Sequence, residues 1–243
     1  MSARTLVRAL HAATTHIDPV PLNYLDIGAR SGLPRRWRVL QRLGKISPIF
    51  VEADPEEAAK LRKSGRCLCV ALGSTHGEVV ELKLTNQPHL SSVLEPLYDS
   101  WPAELIDAIR VVDRLPMTLS RLDHVWPKEF GDPHFVKVDV QGYDLEVLKG
   151  FGDLITRVYC AEVEVRIARQ YRGQPSPSDV YEFMSDHGFD LVGFRANSLQ
   201  AGRQTVVFNA FFIRSDLRDS PAIRMWKRVN NIGSARRITA IGV

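Results

Sequence analysis

At 243 residues, 44% hydrophobic and 25% charged, the chain has ordinary globular composition and enough length to bury a large core, which points to one α/β domain with decorations. A net charge of +4 and a pI near 9.0 suit an anionic ligand without requiring one, so charge alone does not make this a nucleic-acid or lipid binder. No run approaches the ~18 apolar residues of a membrane span, the N-terminus lacks a signal-peptide core, and three cysteines in apolar, strand-like runs, expected to be buried, exclude a disulfide framework; a cytoplasmic protein is expected.

Leu6, Val7, Leu10 and Ala13 follow helical spacing, so residues 1–21 read as an N-terminal helical segment. Strand "LNYLDIG" follows, then helix "LPRRWRVLQRLG", with Pro34 in its first turn and Gly44 at its end. After strand "ISPIFVEA" comes helix "DPEEAAKLRKSG". Asp54 caps it, Pro55 opens it, Glu56 and Glu57 sit at its positive end, and Gly65 stops it. Strand "RCLCVAL" closes this series.

From about residue 74 to 121 the rhythm breaks. "GEVVELKLT" and "RVVDRLPMT" read as extended and "YDSWPAELIDAI" as partly helical, so the segment is expected to be an insertion over one end of the sheet. Alternation resumes with strand "HFVKVDV", helix "DLEVLKGFGDLI", strand "VYCAEVEV" and helix "SPSDVYEFMSDHG". Strands "FDLVGF" and "QTVVFNAFFIR", with no helix between them, are expected to pair antiparallel. Such alternation predicts a mostly parallel sheet with helices on both faces, spanning residues 22–214. The basic tail, 215–243, reads either as a helix packed on the domain or as an arm.

The chemistry concentrates where the first strand ends. Gly28 and Gly32 follow it directly, where glycine permits close approach of a ligand and positive φ. A helix starting near Leu33 would aim free N–H groups at a carboxylate or phosphate. Glu52 ends the second strand, where an acid can accept hydrogen bonds from both ribose hydroxyls. These features fit a nucleoside-bearing cofactor, although glycines at such a position can also do no more than make the turn. In the dinucleotide pattern G-x-G-x-x-G the three positions would be Gly28, Arg30 and Leu33, which disfavours NAD. Asp26 would repel a pyrophosphate but pair with an ammonium. S-adenosylmethionine, with its amine, carboxylate and ribose, gives each group a partner.

Further tracts follow in order: "FVEADP", "CVALGSTHGEVVEL", "LSRLDHVW" and, most specific of all, "FVKVDVQGYDLEVLKGF". With "VYCAEVEV" and "FNAFFIR" they resemble the FkbM family of S-adenosylmethionine-dependent methyltransferases, over roughly residues 22–214. The resemblance implies a class I methyltransferase, Rossmann-like α/β fold. Its seven-stranded, mostly parallel sheet has the last strand antiparallel, and methyl transfer is usually to oxygen. It implies that Asp26, Gly28 and Gly32 form the cofactor loop, that Glu52 binds ribose, and that Ala71 and Leu72 border adenine. Ser92 lies in a stretch that approaches the cofactor. Asp139, Gln141, Gly142 and Asp144 match the family's signature after the fourth core strand. Arg30 departs from a frequent asparagine, Asp144 from glutamate and Asn209 from aspartate; Arg30 suits the pocket only if it points away or grips the methionine carboxylate.

Among catalytic candidates Asp139 comes first, as a base at the cofactor's reactive end or as an anchor for it. Glu162 follows: it shares a strand face with Glu164 and, near the sheet's end, is a candidate for acceptor or metal binding. Gln141, Tyr171 and Arg172 are candidates for acceptor contacts. His124 and His134 are weaker candidates, and no metal is expected, for want of ligand spacing. The leading reading is O-methylation of a glycan or small-molecule hydroxyl, by a protein that could form homo-oligomers. The alternatives are a non-catalytic binding protein of the same fold and an RNA methyltransferase, the latter disfavoured because no module with stacking aromatics is present.

Overall fold

The structure is a computed structural model that describes residues 21–196, 200–201, 204–205 and 207–232. The expected N-terminal helix lies outside these residues, as does the end of the tail. In chain order the elements are β1 (Leu22–Ile27), α1 (Arg38–Arg42), β2 (Ile46–Glu52), α2 (Pro55–Leu61), β3 (Arg66–Cys69) and β4 (Ala71–Leu72). Next come β5 (Val79–Thr85), β6 (Val111–Ser120), α3 (Leu122–Val125), β7 (Phe135–Val138), α4 (Asp144–Lys149), β8 (Cys160–Arg166), α5 (Pro177–Asp186) and β9 (Phe189–Ala196). A two-residue ribbon, β10 (Gln200–Ala201) and β11 (Gln204–Thr205), leads to β12 (Val207–Arg214) and α6 (Pro221–Asn230).

Seven strands form one sheet in the order β3-β2-β1-β7-β8-β12-β9. The pairs among β3, β2, β1, β7 and β8 are parallel, while β12 runs antiparallel to both of its neighbours, β8 and β9. This is the α/β, Rossmann-like order of class I methyltransferases. The expected antiparallel pairing of the last two strands is present, with β12 inserted inside the edge strand β9.

Alternation along the central strands splits the core in two. Leu25, Ile27, Val136, Val138 and Val163 face one layer with residues of α4 and α5. Tyr24, Phe50, Phe135 and Phe211 face the other, with Trp37, Leu40 and Trp226. The tail settles into the first of its two readings as far as residue 230. Ser220 accepts a hydrogen bond from the Ile223 N–H, Asn231 closes α6 in the left-handed conformation, and Trp226 packs edge-on against Phe211 at 5.6 Å.

Several expectations change: "RCLCVAL" divides into β3 and β4, which belong to different sheets, "DLEVLKGFGDLI" divides into α4 and a 3-10 run at Gly152–Arg157, and α2 ends at Leu61, before Gly65. The first helix is shorter: a 3-10 turn, Arg35–Trp37, precedes α1, because Leu33 stands before a proline and is pushed out of helical conformation. "YDSWPAELIDAI" forms only single 3-10 turns at Tyr98–Ser100 and Ala103–Leu105, with Pro102 between them. Cys69 is exposed, because β3 is the sheet's edge, whereas Cys67 is partly buried and Cys160 buried. The segment between β4 and α3 carries a small sheet of its own, β4-β6-β5. It also forms a third apolar cluster of Leu90, Trp101 and Ile109 around Tyr171. No helix among the described residues is long and apolar enough to cross a membrane.

Candidate active site

A cavity of about 620 Å³ opens at the carboxyl ends of β1, β2 and β7, where α/β sheets bind ligands. The sequence-predicted cofactor residues Asp26, Gly28, Arg30, Gly32 and Glu52 line it, and so do Ala71, Leu72, Ser92 and Asp139.

The turn after β1 is built on a close crossing. Gly28 has φ +76°, and a Cβ there would lie 2.0 Å from the Asp139 carbonyl oxygen. The Asp139 N–H donates to Ile27 and the Gly28 N–H to Val51, which ties the ends of β7, β1 and β2 together. Gly28 is thus demanded first by the protein's own backbone and only then by a ligand. The helical segment expected near Leu33 starts at Arg35 instead, with Pro34 before it, and its start lines the cavity.

Asp26 is 1% exposed. Its Oδ1 lies 3.5 Å from the Lys137 ammonium but makes no hydrogen bond among the described residues. Burial pushes its carboxyl up to about 6 against the pull of Lys137. Glu52 is also buried; its Oε1 accepts the Asp54 N–H at 3.0 Å, and burial raises its pKa. Ala71 and Leu72 lay a buried apolar shelf beside it. Arg30 points to α2 and pairs with Asp54 at 2.6 Å, with Glu57 at 3.9 Å. Its charge is therefore matched by the same carboxylate that caps α2.

Lys137 is the organising cation. It lies 3.0 Å from Asp139, whose Oδ1 also accepts a hydrogen bond from Gln141 at 2.8 Å. Burial pushes the Asp139 carboxyl up, yet the charge and hydrogen bond of Lys137, with Arg166 behind it, win and hold it below its ordinary value. A lysine between apolar residues in the central strand "FVKVDV" is the sequence signal for this role.

Several expected roles are corrected. Glu162 has both carboxylate oxygens occupied: Oε2 by Arg36, and Oε1 by Arg195 and Asn209 at 2.5 Å each. It is an internal counter-ion, and Glu164, two residues nearer the strand's end, is the glutamate that lines the cavity. Gln141, in left-handed conformation at φ 56°, spends its side chain on Asp139, Glu164, Arg166 and Tyr171, so it braces the site rather than gripping an acceptor. Tyr171 is 1% exposed and donates to the Leu90 carbonyl, so it is core. Arg172 is exposed but does not line the cavity. Ser92 is buried and donates to the Gln141 carbonyl, fixing the loop across the cavity.

Asp144 explains its own shortness. Its two oxygens accept the N–H groups of Val140 and Gly142, each at 3.0 Å, and clamp the turn after β7 from inside. Burial, with Asp139 nearby, pushes it up to about 7. His124 is exposed beside Asp123, and the His134 Nδ1 accepts the Asn23 N–H, away from the cavity. No cluster among the described residues could hold a metal ion.

No curated protein matches this chain. Among solved structures, magnesium protoporphyrin IX methyltransferase from Synechocystis, with bound S-adenosylmethionine, is 12% identical; the match covers 87% of this chain and 79% of that one, with a TM-score of 0.44. Precorrin-6y C5,15-methyltransferase from Geobacter metallireducens is 11% identical over 88% and 90% of the two chains, with a TM-score of 0.41. The glycopeptide N-methyltransferase MtfA in complex with S-adenosylmethionine is 11% identical over 85% and 93%, with a TM-score of 0.39. The model of the methyltransferase FkbM domain matches residues 26–191, from the carboxylate at the end of β1 into β9. The chain belongs to the FkbM methyltransferase family.

Proposed function

We propose that the protein binds S-adenosylmethionine in this cavity and transfers its methyl group to a hydroxyl of a carbohydrate or small natural product. The observation that carries this reading is the pairing of two buried carboxylates, Asp26 and Glu52, at the ends of adjacent strands in one cavity. One has an oxygen without a hydrogen bond, and the other stands beside an apolar shelf. Asp26 suits an ammonium, Glu52 a pair of ribose hydroxyls, and Ala71 with Leu72 a flat base.

The cofactor supplies an activated methyl group and its leaving group; the protein supplies position and dryness. Ser92, Gln141 and Asp144 hold the two walls at fixed spacing. Asp139 is 24% exposed at its side chain and is held ionised by Lys137. It accepts the hydrogen bond of the acceptor hydroxyl and takes the proton as that oxygen acquires the methyl group. A carboxylate with a lowered pKa is a weak base toward a resting alcohol, so its proton transfer comes late in the reaction.

Calorimetric titration with S-adenosylmethionine and S-adenosylhomocysteine tests the first half. Wild type binds both, and Glu52→Ala binds about 10–100-fold more weakly, the worth of a charge-assisted hydrogen-bond pair. Full affinity in Glu52→Ala sinks the assignment of that end of the cavity.

A further inference from the structure

We infer that the methyl acceptor is an anion, a sugar-sized molecule bearing a phosphate or carboxylate, and that Arg35 and Arg38 grip its charge. This rests on the methyltransferase reading for the cavity's other end. The cations that line the cavity are Arg30, Arg35, Arg36, Arg38, Lys137 and Arg195. Arg30 is spent on Asp54 and Glu57, and Lys137 on Asp26 and Asp139. Arg36 and Arg195 share one carboxylate, Glu162, so that pair keeps an excess positive charge. Arg35 and Arg38 are exposed and form no ion pair among the described residues. About three positive charges therefore face this part of the cavity without a counter-ion.

Their place in the fold says which ligand they serve. The 3-10 turn that carries Arg35 also sends Arg36 across to Glu162 on β8, next to Asn209 on β12 and Arg195 on β9. That wall lies beyond β7, on the far side of β1 from Glu52 and the apolar shelf of Ala71 and Leu72. The nucleoside end is thus acidic and apolar, and the opposite end is cationic. Asn209 lines the same wall, and its buried Oδ1 has no hydrogen-bond partner among the described residues, which leaves an acceptor for a ligand hydroxyl. Cations with a hydroxyl-binding amide between them match a hydroxylated anion.

The test begins with S-adenosylhomocysteine, whose binding to wild type is measured first. The complex is then titrated by calorimetry with glucose 6-phosphate, glucuronate, inorganic phosphate and neutral glucose. Binding of at least one sugar anion is expected, with glucose at least tenfold weaker; glucose 6-phosphate against glucuronate separates phosphate from carboxylate. The double variant Arg35→Gln/Arg38→Gln should lose at least tenfold in anion affinity while keeping wild-type affinity for S-adenosylhomocysteine and an unchanged melting temperature. The inference is overturned if glucose binds as well as the anions, or if no anion binds the complex. It is equally overturned if the double variant loses S-adenosylhomocysteine affinity instead, because the arginines would then hold the cofactor's own carboxylate. Failure of S-adenosylhomocysteine to bind wild type would sink the methyltransferase reading separately, and the same anion titrations on the free protein would still decide the charge of the wall.

Discussion

At the β1–β2 end of the cavity Asp26 keeps an oxygen without a hydrogen bond, and Glu52 has no ion pair among the described residues. At the β8–β12–β9 end Glu162 has every oxygen engaged by Arg36, Arg195 and Asn209. All three acids are almost fully buried, at 1%, 7% and 2% exposure. The difference shows that a buried carboxylate is informative only through its partners. Glu162, bonded by three internal donors, holds the protein together, whereas Asp26 keeps only the Lys137 ion pair at Oδ1 and Glu52 only the Asp54 N–H at Oε1, which leaves both room for a ligand.

The largest expected effect strikes the floor both ends share. Gly28→Ala drives a methyl group into the Asp139 carbonyl and should cost about 3 kcal/mol or more, lowering the melting temperature by about 6–12 °C. A variant that melts like wild type would show that the crossing of β1 and β7 can relax. Next, Glu162→Gln separates the ends: stability should fall by about 1–3 kcal/mol in urea unfolding as two arginines lose their counter-ion, while S-adenosylhomocysteine affinity holds. The opposite outcome would place Glu162 in the binding machinery.

A smaller effect sharpens the acidic end. The Asp26 pKa is raised to about 6, so the acid is protonated and unable to hold an ammonium below that pH and ionised above it. S-adenosylhomocysteine affinity should rise about tenfold from pH 5 to pH 7, and Asp26→Asn should bind weakly with a flat profile. Smallest of all is Arg30→Ala. It removes a partly exposed pair with Asp54 and should change stability by about 1 kcal/mol or less, with cofactor affinity nearly untouched. A large loss of affinity would give Arg30 a direct role in holding the cofactor.

Much of this was legible in the chain. Strand–helix rhythm is a local signal, and the N-terminal cap of α2 and the antiparallel final pair came through it intact, whereas α2 ends at Leu61 rather than at Gly65. The turn after β1 and the acids Asp26 and Glu52 were visible because a motif keeps its members close in sequence or at a strand's end. Tyr171, Gln141 and Glu162 misled for one shared reason. A polar side chain near a site reads the same in sequence whether it faces the cavity or a distant partner. Their partners, Leu90, Arg166, Arg195 and Asn209, lie beyond the reach of any local pattern.

The sequence by itself determined the order of elements, the glycine turn, and which strand ends carry acids, because these follow from backbone propensity and side-chain alternation over short spans. Only the tertiary structure decided which acids are occupied. Packing β8 against β12 and folding Arg36 across the sheet neutralises Glu162. The same packing leaves Asp26 with an open oxygen and Arg35 and Arg38 as surplus charge. Charge pairing depends on distance through space, and the fold sets that distance.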